Sequence, residues 1–334
     1  MDPGAQRRGG GRLAALMRAE GVEVVNAHNP TGSFYAAPAA RLGDVPVAFR
    51  TEHSIHYPGR HSSLYPLIEA ATTLLTRRVV CVCRAVLESH VSRLPWAARR
   101  FVTVANGISS APHTRPRGET RAALGIAPGD RVALSVGSLT RQKAQHVLLE
   151  AFATAAARVP EARLVLAGDG PLRPRLEARI AELGLGPRVT LLGPRNDVAD
   201  LIEACDAFVL SSVREGLPVT VLEAMRGGRA VIATGAGGTA EAVLDGVSGR
   251  IVPMEDAAAL GAALAEALGD PARLRAWGEA GRSLWAERFT AERMVRETEA
   301  LYAEELSGAR ARRTGPSGVT SAQPSEERRA HAAP

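Results

Sequence analysis

Short apolar runs alternate along the chain with longer segments whose apolar positions recur every three or four residues. The runs at 22–27, 45–50, 79–83 and 101–105 predict strands, with helices over 33–42, 62–76 and 84–93 between them and a further helix over 12–20 ahead of the first. After residue 130 the rhythm restarts. Strands are predicted over 132–136, 163–167, 189–192, 207–210, 230–233 and 250–252, and helices over 144–157, 172–183, 196–204, 218–226 and 239–244. The segment 144–157 places Val147, Leu148, Ala151, Phe152 and Ala155 on one helical face. Apolar strands joined through helices imply parallel sheets covered on both faces. The fold class expected is therefore α/β, with two doubly wound, Rossmann-like domains. The break at 109–130, rich in Pro, Gly and charge, reads as the linker between them. Beyond Pro253 only helical patterns remain, over 256–268, 271–287 and 290–306. The organisation expected is a first domain over 1–115, a second over 125–288, a C-terminal helix over 289–307 packing back towards the first, and a disordered tail over 308–334.

Length agrees with this division, because 334 residues exceed one ordinary core. Aromatics are scarce at 4%, so Ala, Val and Leu must build the interior. No apolar run reaches the ~18 residues of a membrane-spanning helix. Arg7 and Arg8 are not followed by the apolar stretch of a signal peptide, and a cytoplasmic location is expected. Cys81, Cys83 and Cys205 match no disulfide framework or zinc spacing and are expected to be small buried hydrophobes. Residues 1–118 hold fifteen arginines against seven acids, which suits an anionic partner such as phosphate or a lipid headgroup. No aromatic-interleaved basic stripe accompanies the charge, so nucleic acid is not expected. Of 41 basic residues one alone is lysine, Lys143. A chain that otherwise uses arginine for every positive charge keeps a compact ammonium there, as a point charge on phosphate requires.

Three segments carry candidate chemistry, each at the carboxyl end of a predicted strand, where parallel sheets bind ligands. The first is RVALSVGSLTRQK, residues 131–143, in which Gly137 and Ser138 open a loop and Arg141 and Lys143 stand at the entrance of the next helix. Helix N-termini favour anions, and with these cations could neutralise a diphosphate without a metal. The second is REGLPVTVLEAM, residues 214–225. Gly216 and Leu217 precede a helix headed by Pro218, Val219 and Thr220, while Glu215 and Glu223 lie eight positions apart and can face one ligand at different depths. The third is FRTEHSIH, residues 49–56, which places His53 opposite Glu215 if the two domains face each other. AGDGP, residues 167–171, is a weak dinucleotide fingerprint, since Arg173 stands where the third glycine belongs.

Together with VEVVNAHNP, TEH, VTVANGI, LVLAGDGP, VTLLG and GGTAEAVLDGVSG, these segments run in one order over residues 22–253. The chain resembles family 4 of the retaining glycosyltransferases (glycosyl transferases group 1), which have the GT-B fold. The resemblance implies transfer of a hexosyl unit from a nucleotide-diphosphate sugar to a lipid-linked or soluble glycan acceptor, with retention and with neither metal nor cofactor. It implies that Lys143 binds the diphosphate, Glu223 the ribose hydroxyls, and Glu215 with the backbone at Gly216 and Leu217 the transferred sugar. His53 would touch that sugar from the other domain, and Leu192 and Gly193 would lie beside the base. The basic charge of residues 1–118 separately suggests peripheral contact with an anionic membrane surface at its inner face. Three departures stand out. Ser138 occupies the family's arginine position, so Arg141 is the expected substitute. Pro218 replaces a frequent glycine. The family's opening strand and glycine-rich loop have no counterpart, so the first domain is expected to be incomplete at its N-terminus. The alternatives are a catalytically impaired nucleotide-sugar-binding remnant and a sugar-nucleotide epimerase of the same architecture.

Overall fold

A computed structural model describes residues 3–55, 65–110 and 113–313. The first unit opens with α1 (Pro3–Ala19), followed by β1 (Val24–His28), α2 (Asn29–Leu42), β2 (Val47–Glu52), α3 (Tyr65–Leu75), β3 (Arg78–Cys81), α4 (Arg84–Val91) and β4 (Phe101–Thr103). Its four strands form a parallel sheet in the order β1-β2-β3-β4. Every residue of β2 is buried, whereas most of the edge strand β1 is only half-buried. On one face of β2 an ionic cluster is enclosed. Arg50 and Glu52 pair at 3.0 Å, His90 lies 2.7 Å from Glu69, and Arg93 also bonds Glu69. Burial alone would raise Glu69, but the hydrogen bonds from His90 and Arg93 outweigh it and bring its pKa to about 2. The three cysteines are free and buried, as expected, and burial pushes Cys81 up to about 12.

The second unit begins with α5 (Arg117–Ala123), then β5 (Arg131–Val136), α6 (Gln145–Arg158), β6 (Ala162–Ala167), α7 (Arg173–Glu182), β7 (Val189–Gly193), α8 (Val198–Ala204) and β8 (Ala207–Leu210). It continues through α9 (Val219–Arg226), β9 (Ala230–Thr234), α10 (Thr239–Ala242), β10 (Gly249–Val252), α11 (Ala257–Gly269) and α12 (Pro271–Arg288). Six parallel strands lie in the order β10-β9-β8-β5-β6-β7. Phe152, Leu148, Leu149, Leu164 and Leu264 fill one face of this sheet, and Phe208, Leu134, Leu222 and Met225 fill the other. Two parallel sheets with helical layers confirm the α/β expectation.

Two stretches hold helix that the sequence pattern does not announce. The stretch 109–130, expected as the linker, holds a helix of its own. It contains α5, which Arg117 and Arg121 fasten to the second unit through Asp206 at 2.6 and 3.4 Å. Thr114 and Arg115 donate backbone N–H groups to buried Asp200. The disorder expected from 308 does not begin there, because α13 (Ala291–Arg313) continues through it, with Ala309 buried among Val47, Phe49 and Val80 of the first sheet and Val104 just beyond it. The rest of that expected tail, 314–334, lies outside the described residues, as does the start of the helix expected over 62–76. The chain returns to the first unit beside Ile108, whose N–H reaches Phe289 and whose carbonyl accepts from Ala291, both at 3.0 Å. On the sheet, Tyr302 packs on Phe49 with ring centroids 4.7 Å apart.

Candidate functional site

The loop leaving β5 is held by backbone bonds to the loop leaving β6. Gly137 N donates to Ala167 O at 2.9 Å, Leu139 N to Asp169 O at 3.0 Å, and Leu172 N to Leu139 O at 3.1 Å. Such lacing needs Gly168, which sits at φ +139° where a Cβ would lie 2.0 Å from Gly137 O. The weak fingerprint AGDGP thus shapes this loop. Its outer end turns through Arg141–Lys143 and enters α6 at Ala144, in a left-handed conformation with φ 46°. Gln145 Nε2 bonds Ser138 O at 2.9 Å. The Lys143 side chain runs along Gly137, so that a Cβ there would stand 3.4 Å from Lys143 Cε.

The loop after β8 closes on this one. Val213 N donates to Gln142 O, and Gln142 Nε2 to Arg214 O, both at 2.9 Å. These bonds bring Lys143 Nζ to 2.6 Å from Glu215 Oε1. Gly216 follows against the other unit, where a Cβ would fall 2.0 Å from His53 O. Only glycine permits that approach. Leu217 is buried, and its carbonyl accepts from Asn106 Nδ2 at 3.0 Å. Val219 and Thr220 then head α9.

The remaining candidates lie around this centre. Gly193 ends β7 at φ +74°, and its carbonyl accepts from Gly168 N at 2.7 Å, with Leu192 half-buried beside it. Arg141 is exposed and opens on a groove of about 680 Å³ with His146, Arg175 and Arg179. Glu223 opens on another of about 520 Å³, between α8, α9 and α12, with Arg226, Arg229 and Arg282. Burial raises the Glu223 carboxyl above its ordinary value, with Arg226 opposing.

On the first-unit wall, the His53 ring meets that of His28 at the end of β1 edge to edge, with planes 22° apart and Nε2 2.8 Å from His28 Nδ1. Burial, and then the neighbouring His28, lower the His53 pKa. Beneath them a pocket of about 260 Å³ is lined by Asn26, Thr51, Asn106, Glu299 and Tyr302. Glu241 of α10 reaches across to the start of α4, accepting from Arg84 N at 2.9 Å and Ala85 N at 2.8 Å. Sequence reasoning gave no role to His28, Asn106, Glu241 or Gly168, although VEVVNAHNP, VTVANGI, GGTAEAVLDGVSG and LVLAGDGP contain them. Among the described residues no cluster of three or more His, Cys, Asp or Glu could hold a metal. None of their helices is long and apolar enough to cross a membrane.

Comparison with known proteins bears on the family and the fold. The pattern of the glycosyl transferases group 1 family matches residues 116–284, and that of Glycosyltransferase Family 4 matches residues 2–111. EpsD of Bacillus subtilis (strain 168) is 28% identical over 84% of this chain and 76% of its own length. The UDP-Gal:alpha-D-GlcNAc-diphosphoundecaprenol alpha-1,3-galactosyltransferase of Escherichia coli is 26% identical, over 73% of this chain and 66% of that protein. The D-inositol 3-phosphate glycosyltransferase of Thermobispora bispora is 37% identical over 62% of this chain, which spans 50% of the relative. Among solved structures, HepE of Anabaena in complex with UDP superposes with a TM-score of 0.79 at 22% identity, over 90% of this chain and 82% of that one. Sucrose-phosphate synthase of Thermosynechococcus elongatus gives 0.77 at 24% identity, over 88% and 76%. Two parallel sheets meeting at Gly216 and His53 form the GT-B fold, and with just over half of its residues matching one family pattern the chain belongs to the glycosyl transferases group 1, of the family 4 type.

Proposed function

We propose that this protein transfers a hexosyl unit from a nucleoside-diphosphate sugar to a glycan or lipid-linked acceptor, retaining anomeric configuration and requiring no metal or other cofactor. The observation that carries this reading is the 2.6 Å contact between Lys143 and Glu215, held at strand ends directly beside the Gly216–His53 junction. An ammonium and a carboxylate are thereby presented together to one ligand. Lys143 neutralises the diphosphate, and Glu215 accepts hydroxyls of the sugar joined to it. A hydrogen bond to a charged group is worth about 1.5–3 kcal/mol net, which helps to hold a leaving phosphate. Gly216 and Leu217 give backbone contacts to the sugar, Val219 and Thr220 begin the helix that faces the phosphates, and His53 closes the opposite wall. Gly137 and Ser138 line the diphosphate loop, Arg141 adds charge at its outer end, and Leu192 and Gly193 flank the base. Glu223 takes the ribose. The leaving phosphate helps to deprotonate the acceptor hydroxyl as the new bond forms on the same face.

The Escherichia coli relative, named for UDP-Gal and a diphosphoundecaprenol-linked sugar, supports a lipid-linked acceptor. Fifteen arginines against seven acids in residues 1–118 support peripheral contact with an anionic membrane from the cytoplasmic side. The deciding experiment incubates the protein with a panel of UDP-, GDP- and ADP-sugars and a cell-envelope extract, and identifies products by mass spectrometry. A glycosylated acceptor with the donor's anomeric configuration is expected. An altered nucleotide sugar without acceptor, or binding without turnover, overturns the reading.

A further inference from the structure

The contact between His28 and His53 imposes a rule on both rings. A hydrogen bond between Nδ1 of one imidazole and Nε2 of another needs one N–H and one bare nitrogen. At 2.8 Å, two N–H groups cannot face each other. Two neutral rings carry two N–H protons, and one is committed to the shared bond. If His53 Nε2 donates, then His53 Nδ1 is bare and His28 Nε2 carries the other proton. If His28 Nδ1 donates, the outer roles reverse. In either tautomer the pair presents one donor and one acceptor on its outer nitrogens. His28 is exposed at the cleft end of β1 and His53 is half-buried against the Gly216 loop, so the pair stands where the two units meet.

We propose that His28 is a positioning residue for glycosyl transfer, which through its bond to His53 fixes that ring's orientation and couples the tautomers of the two imidazoles. The inference rests on the transferase reading above. The outer bare nitrogen accepts a hydrogen bond from one hydroxyl and the outer N–H donates to the oxygen of another, so the pair matches two hydroxyls of one sugar ring. A further proton on the pair makes both outer nitrogens donors and removes the acceptor. Burial of His53, and then His28 beside it, disfavour that proton on His53, whose pKa is lowered. Among the described residues, Glu299 of α13 is the carboxylate that lines the same pocket, with Asn26, Thr51 and Asn106 as its neutral polar neighbours. Tyr302 is occupied by Asn26 at 2.7 Å. Across the cleft Gly216 and Leu217 meet His53 and Asn106 through backbone atoms.

The test pairs an activity-independent measurement with a kinetic one on the full chain. Imidazole nitrogens are followed by NMR from pH 4.5 to 8.5 in the wild type, His28→Gln and His28→Leu. Coupled titration of His28 and His53 is expected in the wild type, with opposite outer tautomers. In His28→Leu the His53 titration moves to higher pH, since the second ring's charge is gone. Independent titration in the wild type, or an unchanged His53 curve in His28→Leu, overturns the proposal whatever the activity. With the donor that the panel identifies, His28→Leu lowers kcat by about tenfold, within what a misplaced contact to the reacting sugar costs. The acid limb of kcat moves up in pH and KM for the donor stays unchanged, while His28→Gln recovers part of the rate. Equal loss in both variants with an unmoved pH profile denotes a structural role and also overturns it. Failure of every donor in the panel, with the coupled titration intact, refutes the transferase reading and not the pairing.

Discussion

Lys143 Nζ and Glu215 Oε1 are 2.6 Å apart, with 19% and 8% of their side chains exposed. A diphosphate that binds Lys143 must share its three N–H donors with Glu215. Lys143→Ala is therefore expected to weaken UDP, GDP or ADP binding by about 1.5–3 kcal/mol, the range for hydrogen bonds to charged groups. Glu215→Gln should leave nucleoside-diphosphate affinity equal or higher, because a competitor for the ammonium is gone, while turnover falls. Lys143→Arg should not rescue binding, since the side chain lies along Gly137 and a planar fork differs in shape and reach. Titration calorimetry decides all three, and unchanged affinity in Lys143→Ala would refute the assignment.

Glu223 makes a prediction of opposite sign for binding and stability. Its folded pKa is raised by burial. The native state therefore binds more protons than the unfolded one, and stability is lost as pH rises from the ordinary Glu pKa through the folded value. Glu223→Gln removes that cost, so its melting temperature should exceed the wild type's at pH 7 and approach it near pH 4. Nucleotide binding should weaken in the same variant, since the proposed partner is ribose. A variant that loses both stability and binding would make Glu223 a structural residue.

The second sheet was the more legible part of the fold. Runs such as 207–210 and 230–233 are continuously apolar because helices cover both faces, and β8 and β9 fall there, β9 one residue longer. By contrast, α5 lies among Pro116, Gly118 and charges that locally signal a linker, and what keeps it helical is tertiary, the reach of Arg117 and Arg121 to Asp206. The end of α13 was hidden in the same way, since a polar, arginine-rich stretch is kept in register by Ala309 against the first sheet. Lys143, Glu215 and His53 could be read as neighbours because each follows a strand in a parallel sheet. His28–His53, Asn106–Leu217 and Glu241–Ala85 join positions far apart in sequence, and no local pattern records such pairings. The grooves on which Arg141 and Glu223 open depend on helix rotation and packing, which motif spacing does not carry.

Glu241 caps a helix of the other unit, through Arg84 N and Ala85 N. The local N-cap position of α4 is Cys83, whose side chain makes no capping bond. Glu241→Ala should therefore cost about 0.5–2 kcal/mol, as for a lost N-cap, and should loosen the junction of the two units. Small-angle scattering should show a larger radius of gyration in this variant than in the wild type. An unchanged scattering curve with unchanged stability would show that the contact is incidental.

Chelation tests where the positive charge at the diphosphate comes from. The proposed sources are Lys143, Arg141 and the start of α9 rather than a cation. EDTA should leave transfer undiminished, and added Mg²⁺ should not raise it. Loss on chelation with recovery on Mg²⁺ or Mn²⁺ would show that a metal carries the leaving phosphate.

Asp200 ties the 113–123 stretch to the second unit and supplies a pH-dependent test. It is 2% exposed and accepts from Thr114 N at 2.6 Å, Arg115 N at 3.1 Å and Thr114 Oγ1 at 2.9 Å. Burial alone would raise its pKa, but the backbone and hydroxyl donors and the charge of Arg115 outweigh it, so the folded value is depressed. The unfolded chain then binds more protons, and the stability Asp200 contributes is fully present above its ordinary pKa of about 3.9 and is lost as pH falls through the folded value. Asp200→Asn leaves donors facing a weaker acceptor in a buried place and should cost about 1–3 kcal/mol at pH 7. The gap between variant and wild type should narrow below pH 4, where the unfolded wild-type chain takes up the proton first and draws that stability down. Limited proteolysis at pH 7 should cut the variant within 113–123 sooner than the wild type. Thermal unfolding at pH 7 and pH 3.5 measures both effects, and a gap that stays constant between the two would show that the Asp200 charge does not hold the strap.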